Sequence, residues 1–225
     1  MSIQLVVFDI AGTTVRDPGN VNEVFRSAFS KAGINEVSVP EVDEVMGYRK
    51  EDAIRQIVGR HRPEWAEDRV DEIHQDFTRT MVSFYEEGAA IEPLPFAEKT
   101  FQELQQNKVM VALNTGFTRV ITDVILKKLG WDQVSFIDQV VCSDEVEQGR
   151  PFPFMIRKLM QDLDISFSED VAKVGDTKVD IEEGQNSRCG IVVGVTTGAQ
   201  SKSELAKSRP DYIINSLEFL PSLIL

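Results

Sequence analysis

The sequence predicts an α/β protein: a doubly wound, Rossmann-like parallel sheet with an all-helical segment inserted after its first strand. Three observations lead there. Short apolar runs alternate with amphipathic helical patterns. Aspartate, or asparagine with threonine, closes several of those runs, and glycine follows. Residues 16–90 show helical periodicity without a buried-strand pattern. A sheet of this kind binds its ligands beyond the carboxyl ends of its strands, where Asp9, Asn114, Thr115 and Asp176 fall.

The first strand is read over Gln4–Phe8, ending at Asp9 and turning through Ala11-Gly12-Thr13-Thr14. Helical patterns follow at Val21–Ala32, Lys50–Val58 and Glu67–Glu87, where Phe25, Phe29, Phe77, Phe84 and Tyr85 recur at core-packing spacings. The prolines of Ile91-Glu92-Pro93-Leu94-Pro95 make a stiff return to the alternating region. There, helices are expected at Phe96–Gln106, Arg119–Leu129 and Phe154–Leu163. Strands are expected at Val109–Leu113, Gln139–Cys142, Val171–Val174, Gly190–Val195 and Tyr212–Ile214. The division is a core of residues 1–15 and 91–225 and a helical domain of 16–90.

With 225 residues, 42% of them hydrophobic, the chain can bury a sizeable core, which excludes global disorder. A net charge of −13 argues against nucleic acid and anionic membranes as partners. No apolar stretch approaches the roughly 20 residues of a bilayer span, and the N-terminus lacks a leader pattern. Cys142 and Cys189 have no metal-ligand spacing and read as reduced thiols, so a cytoplasmic protein is expected. His61 and His74 read as packing or surface residues.

Four constellations carry chemistry. Asp9 beside the Gly12 loop sets a carboxylate next to free backbone N–H groups, although a capping aspartate would look the same. Gly175-Asp176-Thr177-Lys178-Val179-Asp180 adds two carboxylates, which with Asp9 make a hard oxygen site suited to Mg²⁺; Asp180 equally suits the N-cap of a helix over Ile181–Gln185. Thr115 and Gly116 offer a hydroxyl and N–H groups at a helix start, a phosphate site or an ordinary cap. Arg150, in Gly149-Arg150-Pro151-Phe152-Pro153, is a phosphoryl ligand or a solvated loop charge.

In this order the motifs resemble the haloacid dehalogenase-like hydrolases, with a helical cap between the first and second motifs. Within them the chain resembles the phosphonoacetaldehyde hydrolases, through Asp9-Ile10-Ala11-Gly12-Thr13-Thr14, Met46-Gly47-Tyr48-Arg49-Lys50-Glu51-Asp52, Thr115-Gly116-Phe117-Thr118-Arg119, Gly149-Arg150-Pro151 and Gly175-Asp176-Thr177 through Gly184. The resemblance implies Asp9 as the nucleophile of an aspartyl-phosphate, and Mg²⁺ on Asp9, the Ala11 carbonyl and Asp176 with Asp180 in support. It implies Gly12, Thr13, Thr115, Gly116 and Arg150 around the phosphoryl group, and Met46 and Tyr48 shaping the pocket. Lys50 matches a cap lysine that forms a Schiff base with the substrate aldehyde.

Ala11 stands where most phosphatases of the superfamily carry a second aspartate, which favours a carbon leaving group. Ala53 stands where the phosphonatases carry histidine, which favours a phosphomonoester. From sequence neighbours, Arg49 would lower the Lys50 pKa and Glu51 and Asp52 would oppose it; a solvated lysine paired to a carboxylate is the plain alternative. A small phosphonate substrate and a homodimer through the caps are further implications. A small phosphatase and a catalytically silent phosphate-binding regulator are the competing readings.

Overall fold

The computed structural model describes residues 2–87 and 91–225. Its frame is a six-stranded, all-parallel sheet in the order β3-β2-β1-β4-β5-β6. The strands are β1 (Leu5–Phe8), β2 (Met110–Thr115), β3 (Gln139–Cys142), β4 (Val171–Gly175), β5 (Ile191–Val195) and β6 (Tyr212–Ile214). β1 is buried on both faces, and alternation of its side chains splits the packing. Leu5 and Val7 join Val141, Met155, Ile156 and Leu159 on one side. Val6 and Phe8 join Phe101, Leu104, Ile121 and Ile125 on the other.

The helices are α1 (Asn20–Lys31), α2 (Val39–Asp43), α3 (Lys50–His61), α4 (Glu67–Glu87), α5 (Ala97–Gln106), α6 (Arg119–Leu129), α7 (Phe154–Asp162), α8 (Lys178–Asn186), α9 (Lys202–Leu205) and α10 (Pro221–Ile224). The six longer expected helices and six expected strands are all present, with ends moved by a few residues. The short α2, α9 and α10 have too few turns for an apolar period and were not foreseen. α2 begins with a full capping box between Ser38 and Glu41.

α1 to α4 precede the return to the sheet. α4 buries Val70, Ile73, Phe77, Met81 and Tyr85, a three- and four-residue spacing that lays one face on α1 and α3. Phe25 meets Phe77 at 4.5 Å between ring centroids. Their apolar cluster runs on into the α5 and α6 face of the sheet, so helical segment and sheet share one core. The expected domain boundary at 90/91 touches residues 88–90, outside the described residues.

Candidate active site

β2, β1 and β4 are neighbours in the sheet, so their carboxyl ends converge. Phe8 lies in register with Leu113 on one side and Val174 on the other, which sets Asp9 between Asn114 and Gly175. A cavity of about 220 Å³ opens there. The strand ends contribute Asp9, Ala11, Gly12, Thr115, Gly116, Arg150 and Asp176; the helical segment contributes Met46, Gly47 and Lys50.

Asp9, Asp176 and Asp180 bring carboxylate oxygens within 4.8 Å of one another. Asp176 accepts from the Ala199 N–H at 2.7 Å and the Thr13 hydroxyl at 3.1 Å. Gly12 lies so close that a Cβ there, at φ +86°, would stand 2.6 Å from Asp176 Oδ2. Burial raises the Asp9 pKa, with Arg150 opposing, and burial plus the Asp9 and Asp180 charges pushes Asp176 well above the usual carboxylate range. Burial also works against ionised Asp180, but Arg150 and Lys173 hold its pKa low.

The donor set fits a divalent cation. Asp9, Asp176, Asp180 and Glu183 are all buried, and the cations interleaved with them are Arg150 and Lys173. Fully ionised, the cluster would carry an excess of about two negative charges; burial and that excess raise the Asp176 pKa, and one Mg²⁺ on hard oxygens would balance the charge.

Arg150 is 1% exposed, which removes the solvated-loop alternative. Its Nη1 donates to Asp9 Oδ1 at 2.7 Å, Nε to Glu183 at 3.0 Å, and Nη2 to the Asn114 carbonyl at 2.8 Å and Oδ1 at 2.6 Å. Lys173, in β4, donates to Asn114 Oδ1 at 2.6 Å and lies 3.1 Å from both Asp180 and Glu183. Asn114 Nδ2 in turn donates to Glu183. The guanidinium is thus fixed from below while its Nη1 edge reaches the cavity.

Across the cavity, Lys50 is the first residue of α3 and is 4% exposed. Its ammonium lies 5.0 Å from the Phe117 ring centroid and 5.6 Å from that of Phe25, with no carboxylate bonded to it among the described residues. Burial lowers its pKa to about 8, with Asp9 opposing and Arg150 assisting. The solvated, carboxylate-paired lysine is thereby corrected, as is the assignment of the shift to sequence neighbours. Arg49 turns away to the Val146 and Glu147 carbonyls, while Glu51 and Asp52 pair with Arg55.

The loop before Lys50 is clasped by backbone. Lys50 N–H donates to the Gly116 carbonyl at 3.2 Å, and the Tyr48 carbonyl packs where a Cβ on Gly116 would be. The Tyr48 ring is half-buried and does not line the cavity, nor does Thr13, whose hydroxyl is spent on Asp176. Asp180 is not the N-cap of α8. Thr177 is, and Asp180 at the third position completes the capping box, so the helix starts at Lys178 rather than Ile181.

Sequence reasoning missed Lys173 and Glu183 in the floor and Asp17, Asn22 and Asp43 in the cavity wall. For Lys173 a signal existed: a lysine inside Val171-Ala172-Lys173-Val174-Gly175 cannot be solvated if that strand is buried on both faces, so it must be paired.

Residues 6–194 match the family model of the haloacid dehalogenase-like hydrolases, and the chain belongs to that family. Its sequence is similar to the phosphonoacetaldehyde hydrolase of Bacillus cereus, 31% identical over 209 residues that span 86% of this chain and 77% of that protein. Among solved structures, a hydrolase from Pseudomonas syringae superposes with a TM-score of 0.86 at 16% identity, covering 98% of this chain and 97% of that one. A phosphonoacetaldehyde hydrolase like protein from Oleispira antarctica superposes with a TM-score of 0.84 at 24% identity, covering 100% and 92%. The two structural matches are likenesses of fold.

Proposed function

We propose that this hydrolase cleaves the P–C bond of a small carbonyl-bearing phosphonate, with phosphonoacetaldehyde as the leading substrate, through an aspartyl-phosphate on Asp9. The observation that carries the reading is Lys50: a buried amine without a carboxylate partner, its pKa brought to about 8, facing the same cavity as Asp9. An amine of that kind is substantially neutral near pH 8 and can add to a carbonyl.

In this reading Lys50 condenses with the aldehyde and expels water, leaving an iminium. Asp9 attacks phosphorus, and the electron pair of the P–C bond moves into the iminium to give an enamine. Water then releases phosphate from Asp9, and the enamine takes a proton on carbon before hydrolysis returns Lys50 and acetaldehyde. The departing enamine needs no protonated oxygen, consistent with Ala11 placing no acid in the cavity. Arg150, held by Glu183 and Asn114, aligns Asp9 and presents Nη1 to the phosphoryl oxygens, with Thr115 and Gly116 beside it. Asp9, Asp176 and the Ala11 carbonyl would hold Mg²⁺, with Asp180 in support; when bound, it supplies charge screening between carboxylate and phosphoryl group.

Residues 16–90 would act as a cap over a core of 1–15 and 91–225, shedding water on closure. A cytoplasmic homodimer joined through the caps belongs to the same proposal. A phosphomonoester phosphatase is the second reading, favoured by Ala53, which leaves no imidazole beside Lys50. Phosphate release from phosphonoacetaldehyde and a panel of phosphomonoesters, with Mg²⁺ and after chelation, decides between them. Release from the phosphonate alone supports the proposal, release from esters alone supports the second reading, and full activity after exhaustive chelation removes the metal.

A further inference from the structure

The cavity has a second polar end that phosphonoacetaldehyde would leave unused. Asp17, Asn22 and Asp43 line it from the helical segment. Asn22 is 7% exposed, and both protons of its carboxamide nitrogen are committed, to the Val39 carbonyl at 3.1 Å and to Asp43 Oδ1 at 2.7 Å. Those two acceptors set the orientation of the amide, because a flipped carboxamide would point its oxygen at two other oxygens. Asn22 Oδ1 then accepts from no donor among the described residues. Tying α1 to α2 requires only the nitrogen. The oxygen is left open to the cavity, where a donor on an entering ligand can take the place of water. Asp17 is positioned by its own Oδ1, which accepts from the Gly19 and Asn20 N–H groups.

We propose that the organic end of the substrate carries a hydrogen-bond donor, a hydroxyl or an ammonium, on the carbon beyond the carbonyl, and that Asn22 Oδ1 accepts from it. The inference rests on the phosphonate reading and moves the preferred substrate from phosphonoacetaldehyde, which has no carbon beyond its carbonyl, to a donor-bearing ketone cleaved by the same chemistry. Asp17 and Asp43 place negative charge at the same end, so a donor-bearing ketone is accepted there and a carboxylate is repelled. Asn22 is thus a specificity-determining residue, and the chemistry at phosphorus and Lys50 is unchanged by it.

The test compares three ketones that share the P–CH₂–C=O unit: hydroxyacetonylphosphonate, acetonylphosphonate and phosphonopyruvate. The expected result is a kcat/KM for the hydroxyl compound about tenfold above the methyl compound, the scale of one hydrogen bond made in place of water, with the carboxylate poorest. In Asn22→Leu, which keeps the side-chain size and removes the acceptor, the hydroxyl-to-methyl ratio should fall to about one. If Asn22→Leu does not melt cooperatively, Asp43→Leu, which frees the carboxamide, should reduce the same ratio. A wild-type ratio near one with both compounds cleaved, or a ratio unchanged in a folded Asn22→Leu, overturns the inference and leaves the phosphonate reading standing. No cleavage of any phosphonate, with no borohydride-trapped adduct on Lys50, brings down the reading and the inference together.

Discussion

Two kinds of buried cation face each other across this cavity. Arg150 and Lys173 lie in the floor, where Asp9, Asp180, Glu183 and Asn114 answer their charge and their donors. Lys50 lies in the roof against the faces of Phe25 and Phe117. Burial disfavours the charged form in both places. In the floor the carboxylates overcome it and raise the Arg150 pKa, whereas in the roof nothing does and Lys50 falls to about 8. Pairing, rather than depth, decides whether a buried base serves as a fixed charge or as a nucleophile.

The largest effect expected is at the carboxylate between them. Asp9→Asn should reduce turnover on the order of a millionfold, the scale of removing an enzymic nucleophile, with an unchanged far-UV spectrum. Next comes charge without nucleophilicity: Lys50→Arg should lose phosphonate turnover while any weak ester hydrolysis survives, read by phosphate release.

The stabilities should divide in the same way. Lys173→Met leaves Arg150 as the one cation against Asp180 and Glu183 among the described residues and should cost about 3–5 kcal/mol by denaturant titration. Lys50→Met orphans no carboxylate and should be neutral or stabilising at neutral pH. Because the folded-state pKa of Lys50 lies below its ordinary 10.5, the unfolded chain binds the extra proton between about 8 and 10.5. Wild-type stability relative to Lys50→Met should therefore rise with pH across that window, and equal stabilities at every pH would contradict the assignment.

The smallest effect concerns docking of the roof. A Cβ on Gly149 would stand 2.6 Å from Arg49 Cβ, so Gly149→Ala should weaken closure by about 1–3 kcal/mol. A raised KM with kcat nearly unchanged is the expected signature.

How much of this was legible before folding follows from chain geometry. Asp9, Thr115 and Asp176 stood out because strand ends in a parallel sheet converge and short apolar runs announce them. The fate of Arg150 did not, since Glu183 lies 33 residues away and Asp9 141 residues away. Lys50 was misleading within Arg49-Lys50-Glu51-Asp52, because successive residues of a helix diverge by about 100° and adjacent charges need not meet. Asn22 and Asp43 reach the cavity from α1 and α2 without any motif spacing.

The central claim, that the roof supplies a neutral amine, is tested most directly on Lys50 itself. Protein incubated with phosphonoacetaldehyde and borohydride at a series of pH values would be digested and its peptides weighed. The account predicts irreversible inactivation, a reduced adduct on Lys50, and a trapping rate that rises with pH and levels above about 8. No adduct on Lys50, together with normal phosphonate cleavage by Lys50→Arg, would contradict it.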